Sequence, residues 1–233
     1  MNPQWNAPAV LSGRGLVKRY GTQYALAGVD IDIQPGEAVA IVGPSGSGKT
    51  SLLHVLGGII RAEEGEIFLA GQRIDQFSEK KRSELRRTEF GFVFQQGMLV
   101  AELTAEENVA LPMLLGGTNR KDALGAAREW LTRLGLGGRG GSRPGELSGG
   151  QAQRVAIARA LTHRPKVIFA DEPTGALDTR TGKETMDALL VAAADAGASV
   201  LIVTHDRELA DSLPRTVIIR DGRISATGVG AIA

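Results

Sequence analysis

Gly43-Pro44-Ser45-Gly46-Ser47-Gly48-Lys49-Thr50 decides the fold of this chain, because it satisfies G-x-x-x-x-G-K-[ST] between an apolar run and a helical run. Upstream, Ala38-Val39-Ala40-Ile41-Val42 is short and apolar enough for a buried parallel strand; downstream, Ser51-Leu52-Leu53-His54-Val55-Leu56 reads as a helix. Glycines let the backbone curl so that successive N–H groups face a polyphosphate, and the helix N-terminus adds partial positive charge. In this motif Lys49 reaches the β- and γ-phosphates and Thr50, followed by Ser51, offers a hydroxyl to Mg²⁺. A plain Gly/Ser turn at a helix start is the alternative, and the strand and helix flanking the motif favour a nucleotide site.

The 233 residues suffice for one α/β domain with an inserted subdomain. With 27 basic against 26 acidic residues the net charge is +1, so the balance calls for no nucleic-acid partner and no electrostatic membrane tether. No cysteine is present, which excludes disulfides, thiolate metal sites and a cysteine nucleophile. The longest apolar runs, such as residues 109–115 and 188–194, fall short of the roughly 20 residues needed to span a bilayer. The first nine residues lack a signal pattern and read as a loose tail. The chain is therefore expected in the cytosol, with any membrane connection supplied by a partner.

Strand patterns cover residues 10–20 and 24–33 as a hairpin about Gly21-Thr22-Gln23, with another strand over 65–70. A charged helix is expected over 78–87 and a strand over 90–94. From Gln95 to about Leu147 only helices are expected. Thr104-Ala105-Glu106-Glu107 is a capping box, and Leu124, Ala127, Leu131 and Leu134 recur at helical spacing beside Trp130, which reads as core. Residues 135–145, with six glycines and one proline, close the insert. Helix 148–163, strand 166–171, helix 181–196, strand 199–204 and a last core strand 216–220 follow.

Residues 166–171 form an apolar strand that delivers Asp171 and Glu172 at its C-terminal end, where open α/β sheets bind ligands. Adjacent acids point differently, so one can hold Mg²⁺ while the next orients a water for in-line attack. Leu147-Ser148-Gly149-Gly150-Gln151 opens a long helix. Ser148 and Gln151 fit a capping box, and the same glycine-bearing helix start is a second anion site.

With Arg154-Val155-Ala156-Ile157-Ala158-Arg159-Ala160-Leu161 after it, this stretch resembles the signature motif of ATP-binding cassette (ABC) transporter nucleotide-binding subunits, and the likeness covers residues 16–228. It implies an α/β fold: a RecA-like P-loop NTPase core with an antiparallel β subdomain (10–95 and 148–233) and an α-helical insert (96–147). It further implies that Tyr20 stacks on adenine, worth roughly 1–3 kcal/mol, and that Gln95 joins the Mg²⁺ and water shell. Asp171 resembles the Mg²⁺ carboxylate, Glu172 the catalytic carboxylate and His205 the switch histidine at the γ-phosphate; Asp178 falls in a loop crossing a dimer interface. The family closes the signature of one subunit over ATP on the phosphate loop of another. Ser148, Gly149, Gly150 and Gln151 would thus act on the opposite chain, and a homodimer, or a close heterodimer, around two Mg-ATP is expected.

The departures are Thr50-Ser51 in place of the commoner Ser-Thr and Ala152 where a polar residue is usual. A GTPase is disfavoured, since Asn119-Arg120-Lys121-Asp122 only approximates N-K-x-D and sits in the helical insert; no heptads of a chromosome-type ATPase separate Thr50 from Ser148. A soluble ABC ATPase of a scaffold such as iron–sulfur assembly is the remaining rival. Residues 90–95, Leu103 to Val109 with Leu111-Pro112, and the run from Ala170 to Asp178, with Gly175 for the commoner Ser, resemble the group serving lipoprotein release, macrolide or peptide efflux, haem export and cell division. An integral membrane permease is expected to dock from Gly97 to Leu103, where Met98, Leu99 and Val100 are apolar, on the cytoplasmic face of the membrane.

Overall fold

A computed structural model describes residues 8–229, so most of the expected N-terminal tail lies outside the described residues. The described residues form two compact units, residues 8–84 with 199–229, and residues 85–198. In the first, β1 (Leu11–Tyr20) and β2 (Gln23–Ile33) form the expected hairpin, from Leu11 opposite Ile33 to Tyr20 opposite Gln23. β4 (Glu64–Leu69) pairs antiparallel with β1, and the two-residue β5 (Gln72–Arg73) extends the sheet to the order β2-β1-β4-β5. Leu11, Leu16, Leu26 and Ile33 are fully buried, and register shifts in the β1–β2 pairing interrupt the strict alternation of these strands.

The same unit holds β3 (Ala38–Val42), flanked in parallel by β8 (Ser199–Val203) and β9 (Arg215–Arg220). β3 and β8 read as unbroken apolar runs because strands covered on both faces need no polar side. The helix α1 (Lys49–Leu56) follows β3 and buries Leu52, Leu53, Val55 and Leu56.

Two features go beyond the sequence reading. Asp221 and Gly222, at φ 47° and 71°, turn β9 back into an antiparallel β10 (Arg223–Val229). Positive φ at both central residues is the hairpin turn that Asp-Gly favours, and that dipeptide was the available signal. A short helix α7 (Arg207–Ser212), capped by Asp206, follows β8.

In the second unit β6 (Phe90–Phe94) runs parallel to β7 (Val167–Asp171), and the Phe90 and Phe169 rings meet edge to face at 5.1 Å. A Cβ on Gly91 would lie 2.5 Å from the Ala160 carbonyl oxygen, so α5 (Gly149–Leu161) packs directly on β6. As expected, residues 95–147 contribute helices alone among the described strands and helices: α3 (Ala105–Leu115), α4 (Arg120–Arg133) and a 3-10 turn at Pro144–Glu146. Thr104 and Glu107 form the anticipated capping box, and Trp130 is buried. The last helix of the unit, α6 (Thr179–Ala196), ends on Gly197 at φ 69°. The result is the expected α/β architecture with an antiparallel β subdomain. Among the described residues no helix is long and apolar enough to cross a membrane.

Candidate active site

In the first unit the phosphate loop leaves β3 and enters α1, whose first residue is Lys49. No side chain caps this helix start; its N-cap is Gly48, at φ 106°. The first N–H groups of any α-helix lack intrahelical partners, and a helix start of this kind suits an anion. Side chains are excluded from the loop: a Cβ on Gly43 would lie 2.2 Å from the Ile219 carbonyl oxygen, and one on Gly48 2.1 Å from that of Ala25. Lys49 is 9% exposed and curls over its own loop, Nζ donating to the Gly43 and Pro44 carbonyls at 2.9 Å each. Ser47 is buried with its hydroxyl unpartnered. A glycine-walled cradle, a buried cation and an orphan hydroxyl together fit a polyphosphate. Pro44, Ser45, Gly46 and Thr50 are exposed, and Ser51 is half-buried.

The missed β9–β10 turn braces this loop. The Gly222 amide donates to the Ser47 carbonyl at 3.0 Å, and the Gly222 carbonyl accepts from the Ala27 amide at 2.8 Å. His205 stands just past β8. Since Ile41 pairs with Val203, Gly43 and His205 leave adjacent parallel strands at the same level. Tyr20 ends β1 with its ring 57% exposed and Lys18 Nζ 5.5 Å from its centroid.

In the second unit Phe94 pairs with Asp171, so Gln95 and Glu172 likewise leave neighbouring strands together. A Cβ on Gly175 would lie 2.9 Å from Gln95 Nε2 and 3.3 Å from Glu172 Oε2, which puts all three residues in one cluster. A side chain at 175 would displace the Gln95 amide. Glu172 has φ 47°, a conformation that costs a non-glycine residue of order 1–3 kcal/mol and persists only where its surroundings hold it.

Ser148 caps α5: its hydroxyl accepts from the Gln151 amide at 3.3 Å and its amide donates to Gln151 Oε1 at 3.0 Å. Gly149 would touch Leu177, and Gly150 would clash with Thr181 at 2.4 Å, if either carried a Cβ. Close packing against the start of α6 is thus one physical reason for these glycines. Asp178 caps α6, accepting from the Thr181 amide at 3.0 Å, and that hydrogen bond holds its carboxyl below the usual carboxylate range. Three residues without a sequence assignment organise the neighbourhood. Asn108, fully buried, accepts from the Val100 amide and donates to the carbonyls of Val100, Leu103 and Thr104. Gln153 donates to the Phe94 carbonyl at 2.9 Å, and Arg159 donates to those of Gly97 and Met98 at 2.7 Å each. The partners of Gln153 and Arg159 lie 59 to 62 residues away, so no local pattern marked those two.

A family model described as ABC transporter matches residues 26–175. The chain is 45% identical over 219 residues to lipoprotein-releasing system ATP-binding protein LolD 2 of Caulobacter vibrioides, covering 92% of this chain and 96% of that protein. It is 49% identical over 199 residues to the macrolide export ATP-binding/permease protein MacB of Escherichia coli, covering 85% of this chain but only 31% of MacB. Among solved structures, a dimeric post-hydrolysis state of an ATP-binding cassette bound to ADP and Pi aligns with a TM-score of 0.84 and 37% identity, covering 94% of this chain and 98% of that one.

Proposed function

The chain belongs to the ABC transporter family as an ATP-binding, ATP-hydrolysing subunit, and from that premise we propose that two copies close around two Mg-ATP to drive a separate permease that exports an amphipathic substrate or extracts it from the membrane. The observation that carries the nucleotide reading is the phosphate loop: an uncapped helix start, walled by Gly43 and Gly48, with buried Lys49 turned onto the loop itself. On a bound polyphosphate, Lys49 exchanges its two carbonyl partners for phosphate oxygens, and loop amides supply the remaining donors.

Thr50, Gln95 and Asp171 offer a hydroxyl, an amide oxygen and a carboxylate. This hard-oxygen set suits Mg²⁺, which keeps several waters and is shared with substrate phosphates. The ion would neutralise charge on the phosphates. Glu172, held by its backbone beside Gln95, orients the attacking water and takes up its proton. His205 contacts the γ-phosphate end, and Tyr20 stacks on adenine. Ser148, Gly149, Gly150 and Gln151, with Asp178 at the N-cap of α6, serve the nucleotide of the opposite copy. In this reading residues 96–147 are the helical insert on the core formed by 10–95 and 148–233.

Kinship with a lipoprotein-releasing ATP-binding protein and with a macrolide exporter supports the export or extraction reading and disfavours a soluble scaffold ATPase. The permease would dock from Gly97 to Leu103, where Met98 is 65% exposed and Val100 is exposed as well, on the cytoplasmic face of the membrane. Replacing Glu172 by Gln tests the hydrolytic assignment: turnover is expected to fall about 10²–10⁴-fold with nucleotide binding retained. Wild-type turnover in that variant would remove Glu172 from the mechanism.

A further inference from the structure

Two successive residues after Gln95, Gly97 at φ 68° and Met98 at φ 46°, lie in the left-handed region. A non-glycine residue stays there only when its surroundings hold it. The Met98 side chain is 65% exposed, so packing does not supply that hold. The hold comes from the backbone: the Gly97 amide donates to the Phe94 carbonyl at 3.0 Å and the Met98 amide to the Gln96 carbonyl at 2.8 Å. From α5, Arg159 reaches across with Nη2 on the Gly97 carbonyl and Nη1 on the Met98 carbonyl, both at 2.7 Å.

Arg159 pairs with no carboxylate among the described residues, and burial pushes its guanidinium below its usual range. A charge drawn out of water needs compensation. Here it comes from two carbonyl dipoles of one turn, which makes the contact charge-assisted. Two turns earlier on the same helix, buried Gln153 donates to the Phe94 carbonyl. Gln95 is therefore bracketed: α5 grips the backbone on both of its sides, and α5 is the helix that Ser148 opens.

We propose that Arg159 is a positioning residue, which with Gln153 ties the segment from Phe94 to Met98 to α5, so that Gln95 and the exposed Met98 face move with the signature helix. The proposal rests on the reading of Gln95 as a participant in hydrolysis. It names a route by which pressure at Met98 reaches the helix that begins at Ser148, through two hydrogen bonds to one side chain.

The test combines hydrogen exchange with steady-state ATPase kinetics on the purified chain and the variants Arg159→Met, Arg159→Lys, Gln95→Ala and Gln95→Ala/Arg159→Met. In Arg159→Met, amide exchange over residues 96–100 is expected to rise about tenfold while α5 stays within about twofold. Its kcat should fall about tenfold or more, since small misplacements of a positioned group are costly, with KM for ATP within about twofold. Arg159→Lys, which keeps a cation but cannot bridge both carbonyls as a guanidinium does, should show a smaller rise in exchange and a smaller fall in kcat, and that partial loss gives the same reading if the Met variant does not fold. The double variant should be no slower than Gln95→Ala, because Arg159 acts through Gln95. Unchanged exchange over 96–100 in Arg159→Met, exchange raised equally across α5, or rate losses that multiply in the double variant would each overturn the tie. Wild-type kcat in Gln95→Ala would instead overturn the role of Gln95, and the exchange data would still report on the tie itself.

Discussion

Gly48 and Gly46 sit two residues apart in the phosphate loop, both at positive φ, 106° and 76°, yet only one is boxed in. Nothing lies within 4 Å of a Cβ built on Gly46, whereas one on Gly48 would strike the Ala25 carbonyl at 2.1 Å. Gly46→Ala should thus cost only the left-handed penalty, about 1–2 kcal/mol, and Gly48→Ala about 2 kcal/mol more through displaced backbone. Urea unfolding of both variants checks the difference; equal costs would mean that β2 does not wall the loop. A second residue with a measurable consequence is His163. Its Nε2 donates to the Phe90 carbonyl at 2.9 Å, and Nδ1 is buried without a partner. Burial pushes the imidazole below its usual 6.5, against smaller upward pulls from the Phe90 carbonyl and Glu89. The unfolded chain consequently binds a proton at higher pH than the folded one. Stability contributed by neutral His163 is complete above about pH 6.5 and falls as pH drops from there toward the folded pKa. His163→Gln should flatten the stability profile between about pH 6.5 and 5, a window above the range where the lowered carboxyls of Glu63, Asp75, Glu107 and Asp178 titrate. Denaturant melts at several pH values would show it, and a wild-type profile unchanged by the substitution would contradict it.

At the scale of elements, Leu147-Ser148-Gly149-Gly150-Gln151 has one observed role and one proposed: Ser148 and Gln151 cap α5, and the helix start is proposed to meet a phosphate of the opposite copy. Ser148→Ala should lower stability by about 1 kcal/mol, while Ser148→Arg should in addition abolish ATP-driven closure by placing bulk and charge where a phosphate meets the helix start. ATPase rates measured well below the melting temperature separate the two, and full activity in Ser148→Arg would leave Ser148 a cap only. Elements with a strong local signal were legible in the sequence. Thr104 and Glu107 announced α3, Gly21-Thr22 announced the β1–β2 hairpin, and the apolar runs of β3 and β7 placed the start of the phosphate loop and Glu172 at strand ends. What escaped notice depended on weaker or distant signals. Asp221-Gly222 was a hairpin turn whose following strand carries Ser225, Thr227 and Gly228 and so lacks an apolar run. Gln153 and Arg159 work through backbone partners that only the folded chain brings near, so their types at their positions carried no message.

For the whole molecule, the proposal is that two copies, each supplying a phosphate loop and a signature, act together on ATP. A head-to-tail pairing of identical chains buries the same surfaces twice and closes as a two-fold dimer. ATP that binds the closed pair more tightly than the single chain stabilises the pair by mass action, and hydrolysis removes that stabilisation. The closed pair should therefore accumulate where binding is intact and hydrolysis is blocked. Light scattering on the Glu172→Gln chain with and without Mg-ATP measures this most directly. The account predicts a monomer without nucleotide and twice the mass with it, reverting to monomer when Ser148→Arg is added. A Glu172→Gln chain that binds ATP yet remains monomeric at every protein concentration would contradict it.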